Sequence, residues 1–190
     1  MRMREGTGSD WADEARAATT ATVARLAAAE AGAEQLAEFV PAGRRFRVFP
    51  RPATMLPQGE VWRLGVLLLA RSGDLFALGQ LTRAAERGRV GYQSSSREER
   101  RDLAAAALRG GYPVGTPVNF NATPLPFDEA RLAELGGACP LGIADGSLRV
   151  RWRAGASLAG APTLARYLAE RADLLLDPPF AADERLSRNP

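Results

Sequence analysis

The segment EVWRLGVLLLARSGDLFALGQLTRA, residues 60–84, constrains the fold of this chain more than any other stretch. Two apolar runs flank residues 71–74 (RSGD), a sequence typical of a tight turn because its glycine readily adopts a positive φ. Both faces of the first run are largely apolar, so we expect this hairpin at the centre of a sheet that is covered on both sides.

The remaining patterns place helices and short strands around this hairpin. We predict a first helix from residue 10 to about residue 39, with an apolar stripe that includes Val23, Leu26 and Leu36. Further helices are expected at 94–109, 128–135 and 162–177, and further strands at 44–49, at 118–121 and in a hairpin at 141–153. Tight turns between consecutive strands require antiparallel pairing. The sequence therefore predicts an α+β fold: a single antiparallel sheet of about five strands with helices packed on it.

The length of 190 residues and a hydrophobic content of 46% fit one domain with a substantial core. We assign residues 9–179 to a single α+β domain. Residues 1–8 and 180–190 carry no apolar pattern and are predicted to be flexible tails.

Three absences limit the chemistry. All 25 basic residues are arginine, there is no histidine, and Cys139 is the single cysteine. Without histidine and lysine the chain cannot assemble a Ser-His-Asp triad, a Ser-x-x-Lys nucleophile or a P-loop. One thiolate and no imidazole do not make a zinc site. These absences argue against an enzyme, and we predict neither a cofactor nor a metal.

Charge and hydropathy suggest where the protein works. The formal net charge is only +3, so the high pI reflects the chemistry of arginine more than a basic partner. The first residues contain no apolar run of the signal-peptide type, and no stretch approaches the length of a membrane span. With a single thiol, these features predict a cytoplasmic protein that does not bind a membrane.

The start of the 94–109 helix has two interpretations. Ser95, Ser96, Arg97 and Arg100 could hold an anion on the free N–H groups of the first turn. The same serines, with glutamate three residues later, also form capping boxes, and Glu98, Glu99 and Asp102 would repel a phosphate. Helix capping explains every residue and is favoured, while anion binding stays an alternative.

The loop that follows this helix is the expected place for a pocket. It is long and rich in proline and glycine, and such loops carry function more often than chance. The candidate lining residues are Tyr112, Asn119, Asn121, Asp128 and Glu129.

Two arginine-rich stretches, RRFRVFPR at 44–51 and RVRWRA at 149–154, raise the possibility of nucleic-acid binding. Strand alternation places Trp152 on the apolar face with Leu148 and Val150, opposite Arg149 and Arg151. We therefore interpret these arginines as a solvated sheet face, which favours solubility over nucleic-acid recognition.

Several segments resemble a known family. They are VWRLGVLLLARSGDLFALGQ (61–80), YQSSSREERRDLAAAALRGGYPVGTPVNF (92–120), LRVRW (148–152) and LLLDPP (174–179). In these segments the chain resembles a family of small uncharacterised proteins from high-GC bacteria, some of them catalogued as "glutaminase". The resemblance spans roughly residues 60–180. It implies no catalytic residues, because that family has no recognisable catalytic motif.

Because no catalytic motif is present, the sequence predicts only classes of function, and three are considered. The first hypothesis is a protein–protein interaction module or homodimeric adaptor, because arginine, tryptophan and tyrosine are the usual anchors of interfaces. The second is an amide hydrolase of the glutaminase-like type that acts through carboxylates. The third is an anion or nucleic-acid binder at the helix start near Ser95.

Overall fold

The computed structural model describes residues 10–45, 49–87 and 95–178. Its helices are α1 (Asp10–Ala28), α2 (Ser95–Arg109), α3 (Glu129–Leu135) and α4 (Leu164–Leu176). Its strands are β1 (Glu34–Val40), β2 (Gly43–Arg45), β3 (Phe49–Arg51), β4 (Thr54–Leu64), β5 (Leu67–Ala70), β6 (Leu75–Ala77), β7 (Gln80–Arg83), β8 (Pro117–Phe120), β9 (Thr123–Pro124), β10 (Leu141–Ala144) and β11 (Ser147–Val150).

The α+β class is confirmed, but the single antiparallel sheet of about five strands is wrong. Seven strands form one mixed sheet in the order β7-β8-β1-β4-β5-β6-β9, and the pairs β10-β11 and β2-β3 form two separate ladders. Strand β1 runs parallel to β8, with Gln35 opposite Val118 and Ala37 opposite Phe120. The parallel pair does not follow from the sequence prediction, because that prediction places residues 34–40 in a helix.

The helix predicted over residues 10 to about 39 is two elements, because α1 ends at Ala28. Glu30 has a φ of 49°, and the N–H groups of Glu30 and Ala31 donate to carbonyls of the last helical turn at 3.1 and 3.0 Å. This closure places one left-handed residue after the helix, a position that glycine usually occupies. Since glutamate occupies it here, the end of the helix has no clear signal in the sequence.

The residues group into two compact units. Unit 1 consists of Met1–Gly32, Trp62–Ala77 and Pro124–Pro190, and unit 2 of Ala33–Val61 and Leu78–Thr123. The assignment of residues 9–179 to one domain stays a prediction. The two predicted tails, 1–8 and 180–190, lie outside the described residues.

In unit 1 the hairpin around residues 71–74 is confirmed. Strands β5 and β6 pair antiparallel with Leu68 opposite Phe76, and Gly73 in the turn has a φ of 92°. The apolar run before this turn is two strands and not one, because Gly65, at a φ of 63°, turns the chain between β4 and β5.

A tyrosine of α4 completes the turn at Gly65. The Tyr167 hydroxyl accepts a hydrogen bond from the Val66 N–H at 2.9 Å and donates one to the Leu64 carbonyl at 3.2 Å. Any side chain at Gly65 would overlap this hydroxyl. The two backbone groups are thus satisfied by a side chain from a distant helix, which fixes α4 against the turn.

The hairpin at 141–150 in unit 1 also follows the sequence. Asp145 and Gly146 adopt φ values of 50° and 71°, as a type I′ turn requires, and Leu148 and Val150 are buried. The inward position predicted for Trp152 is wrong, because its side chain is 68% exposed and stacks on the Arg153 guanidinium at 4.4 Å. Strand β11 ends at Val150, so strand alternation does not reach residue 152.

The arginines of this hairpin are not a solvated face. Arg149 Nη1 donates to the Ala161 carbonyl at 2.6 Å and its Nη2 contacts Asp145 at 3.2 Å. Arg151 donates to three backbone carbonyls and is half-buried. Both guanidinium groups therefore hold the loops around the hairpin. The other arginine-rich stretch is residues 44–51, of which residues 46–48 lie outside the described residues. In place of the single strand predicted over 44–49, Arg44 and Arg45 belong to β2 and Phe49 belongs to β3, and these two strands pair antiparallel.

Candidate functional site

In unit 2, helix α2 packs on one face of the sheet through small side chains. Ala106, Ala107 and Gly110 share one side of the helix, and the two alanines belong to a buried cluster with Val118 and Phe120 of β8. A Cβ atom at Gly110 would overlap the Met55 carbonyl oxygen of β4. The C-terminal half of α2 therefore lies close against the sheet.

The end of α2 agrees with the helix predicted over 94–109, because the helix ends at Arg109 and two glycines follow it. Gly111 has a φ of 93°, and the N–H groups of Gly111 and Tyr112 donate to the carbonyls of Leu108 and Ala107. This is the same closure as at the end of α1, here with the glycine that the position favours.

A cavity of about 440 Å³ lies at the opposite, N-terminal half of the same helix. All its lining residues belong to unit 2: Phe39, Ala53, Gln80, Ser95, Glu98, Glu99, Asp102, Leu103, Phe120 and Asn121. We refer to it below as the α2 cavity.

The floor of the α2 cavity is aromatic. The rings of Phe39 and Phe120 pack with their centroids 5.9 Å apart and their planes at 48°. Ala53 and Leu103 extend this apolar surface and pack against the buried cluster of unit 2. Because this floor is continuous with the core, its shape is set by packing.

The rim of the α2 cavity is acidic. Ser95, Glu98, Glu99 and Asp102 follow the spacing of one helix face. Asp102 forms an ion pair with Arg87 at 3.0 Å, whereas Glu98 and Glu99 have no ion-pair partner in the part of the chain that the structure describes. Two uncompensated carboxylates thus stand beside an aromatic surface, an arrangement that favours a cation.

The predicted anion site at this helix start is only partly assembled. Ser95 lines the α2 cavity, but Ser96, Arg97 and Arg100 are exposed and outside its lining. Arg100 Nε donates to the Ser96 carbonyl at 3.1 Å. The helix begins at Ser95, and the residue before it, which would cap it, lies outside the described residues, so the capping interpretation stays a prediction.

The five residues predicted to line a pocket are not brought together. Tyr112 and Asn119 are buried in unit 2, and their side chains bind strand β1. Asn121, at a φ of 54°, lines the α2 cavity. Asp128 and Glu129 belong to unit 1, where the Asp128 carboxylate caps α3 by accepting from the Arg131 N–H at 2.9 Å.

Asn119 links two strands of the sheet, although its sequence surroundings are those of a loop. Its amide donates to a Glu34 carboxylate oxygen at 2.7 Å and to the Gln35 carbonyl at 3.2 Å, and only 1% of the residue is exposed. The side chain thus joins β8 to the start of β1. A buried amide with satisfied partners helps to specify which strand pairs with which.

The pKa of Tyr112 gives a pH-dependent prediction. Burial raises this pKa above its ordinary value near 10, and the hydroxyl donates to the Leu36 carbonyl at 3.2 Å. A raised folded-state pKa means that the stabilisation is complete below about pH 10 and is lost as the pH rises through the folded value. We expect the urea midpoint to fall as the pH rises above about 10, and to fall less in Tyr112→Phe. Equal slopes for the two proteins would contradict this assignment.

The sequence reasoning missed the apolar half of the α2 cavity. The sequence places Phe39 at the end of a helix, Gln80 at the end of the central hairpin and Phe120 in a short strand after a loop, so no pattern brings them together. The acidic residues of α2 enter the sequence analysis only as groups that oppose an anion. The sequence signal that points to this site is the spacing of these acidic residues, which places them on one face of the helix.

Within the described ranges, no three histidine, cysteine or acidic side chains are grouped as metal ligands would be. None of the helices seen in these ranges combines the length and apolarity needed to cross a bilayer. Comparison with protein-family models, with curated proteins and with solved structures finds no match to this chain.

Proposed function

We propose that this protein is an interaction module that binds a basic segment of a partner protein and holds one arginine or lysine side chain of that segment in the α2 cavity. The observation that carries the proposal is the acidic rim, Glu98, Glu99 and Asp102, above the aromatic floor formed by Phe39 and Phe120. This combination matches a side chain with an apolar stem and a cationic end.

The chemistry of the rim supports a guanidinium in particular. Asp102 already binds the Arg87 guanidinium at 3.0 Å, so a carboxylate on this helix face can accept such a group. A planar guanidinium can donate to a carboxylate while it stacks on an aromatic ring. In the proposed complex, Glu98 and Glu99 accept from the partner's side chain, and its methylene groups lie on the phenylalanine rings.

The two other classes of function have less support. An anion or nucleic acid at the start of α2 would meet the negative rim of the α2 cavity, and the Arg149 guanidinium is engaged by the carbonyls of Ala144 and Ala161 and by Asp145. An amide hydrolase, the function that the glutaminase-like resemblance suggests, would use Asp128 and Glu129. The Asp128 carboxylate is engaged as a helix cap.

A peptide titration tests the proposal. The probe is Ac-Leu-Arg-Leu-NH2, compared with the same peptide carrying citrulline, which has the shape of arginine without its charge. We expect calorimetry at low salt to show binding of the arginine peptide, with citrulline weakening it at least about tenfold, equivalent to about 1.4 kcal/mol. Added salt should weaken the arginine peptide, because charge interactions at a solvated rim are screened.

Variants locate the binding. The double variant Glu98→Gln plus Glu99→Gln should weaken the arginine peptide about tenfold and leave the citrulline peptide unchanged. The matched control is Glu38→Gln on β1, since Glu38 is exposed in the same unit and outside the cavity lining. The proposal fails if arginine and citrulline peptides bind equally, or if Glu38→Gln has the same effect as the double variant.

A further inference from the structure

A second cavity lies in unit 1, between helix α3, strand β10 and the segment after β11. Its volume is about 280 Å³, smaller than the α2 cavity. Leu132, Leu141, Ile143 and Leu158 give it an apolar wall, and Arg151 and Glu129 are the charged residues of the lining. A space of this size suits a ligand smaller than a typical drug.

Arg151 is held rigidly at this cavity. Its Nε donates to the Ala156 carbonyl at 3.0 Å, and its Nη1 donates to the carbonyls of Cys139 and Leu141 at 3.0 and 2.7 Å. These bonds use three of the five N–H groups of the guanidinium. The Nη2 group has no acceptor among the described residues.

The charge of Arg151 is also uncompensated. Among the described residues no carboxylate lies within ion-pair distance of it, although the side chain is half-buried. A Cβ atom at residue 142 would lie 2.7 Å from Leu158 Cδ1 and 2.9 Å from both Nη1 and Nη2. Glycine at this position therefore lets the guanidinium and Leu158 pack directly against the backbone of β10.

We propose that the unit 1 cavity binds a small aliphatic carboxylate, whose anionic group accepts hydrogen bonds from Nη2 of Arg151 and whose chain lies against the leucines. A carboxylate would provide the missing counter-charge for a half-buried cation whose orientation is already fixed. The exposed carboxylate of Glu129 also faces this cavity and opposes the binding of an anion. The site belongs to unit 1 and is independent of the peptide-binding function proposed for unit 2.

The test is an NMR titration of the full chain with hexanoate and with hexanamide, its uncharged analogue. We expect hexanoate to shift the Nε–Hε signal of Arg151 and the amide signals of Gly142 and Ile143 in a saturable way. Hexanamide should bind at least about tenfold more weakly, because it lacks the charge that pairs with the guanidinium. Glu129→Gln should strengthen hexanoate binding a few-fold by removing the opposing charge.

Because Arg151 also holds backbone carbonyls, a variant that fills the cavity tests the location better than a change of this arginine. Ala133→Trp places a large side chain in the cavity from an exposed position of α3 and should abolish the hexanoate shifts. Ala130→Trp, exposed on the same helix and outside the lining, is the matched control and should leave them intact. Equal affinity for hexanoate and hexanamide, undiminished binding by Ala133→Trp, or no saturable shift with hexanoate would each overturn the proposal.

Discussion

Replacing Gly110 with alanine is expected to lower the free energy of unfolding by about 3 kcal/mol. The new methyl group would overlap the backbone carbonyl of Met55 and approach the Ala107 carbonyl to 3.1 Å. A backbone atom cannot move aside as the end of a side chain can, so α2 must separate from β4. The direction is diagnostic, because Gly110 does not have a positive φ, so its backbone conformation alone would not penalise alanine. Urea unfolding followed by circular dichroism measures the loss.

The neighbouring glycine is the matched control. Gly111 has a φ of 93°, but a Cβ atom there would meet no atom within 4 Å, so Gly111→Ala should cost only about 1 kcal/mol of backbone strain. Close packing thus predicts that the Gly110 variant is the more damaged of the two, whereas backbone conformation alone predicts the reverse. Greater damage in Gly111→Ala would show that α2 lies farther from β4 than the structure places it.

Replacing Arg151 with methionine is expected to cost about 3 kcal/mol of unfolding free energy. Methionine keeps much of the apolar stem, but it leaves the carbonyls of Cys139, Leu141 and Ala156 without their donor. Bonds from a charged donor to buried acceptors are among the stronger ones in proteins, and partial exposure of this side chain reduces the total. Arg151→Lys should recover only part of the loss, since one ammonium group cannot reproduce a planar fork directed at three carbonyls.

The control for Arg151 lies two residues away. Arg153 is exposed and its guanidinium stacks on the exposed Trp152 ring, so Arg153→Met should change the unfolding free energy by less than about 0.5 kcal/mol. Chemical denaturation of the three variants under one set of conditions gives the comparison. Equal losses at positions 151 and 153 would refute the role assigned to the Arg151 guanidinium.

Where local chemistry determines the structure, the sequence is sufficient to predict where an element ends or turns. Helix α2 ends at Arg109 and is closed by Gly111, α3 lies between the Asp128 cap and Gly136, and the 141–150 hairpin turns at Asp145-Gly146. Each of these residues has an intrinsic preference for the conformation it adopts. No distant contact is needed to place them.

Where distant contacts determine the structure, the sequence prediction failed. Glu30 adopts a left-handed conformation that glutamate does not favour, so the sequence pattern extends the predicted helix past the end of α1 and through β1. Strand alternation predicts that Arg151 faces solvent. Its carbonyl partners lie five to twelve residues away along the chain, so the local pattern does not reveal them. The α2 cavity joins residues between positions 39 and 121, and only the three-dimensional fold brings them together.

The way the chain passes between the two units determines the order in which they can be completed during synthesis. Every segment of unit 2 has been made once residue 123 is added, whereas unit 1 still lacks Pro124–Pro190. At that moment the turn at Gly65 has been made without Tyr167, which satisfies its backbone, and the leucines of β5 have been made without Pro124–Pro190, which is more than half of their own unit. Since domains generally fold as units during synthesis, we expect that unit 2 can fold while the apolar hairpin of unit 1 still lacks the residues that complete its own unit.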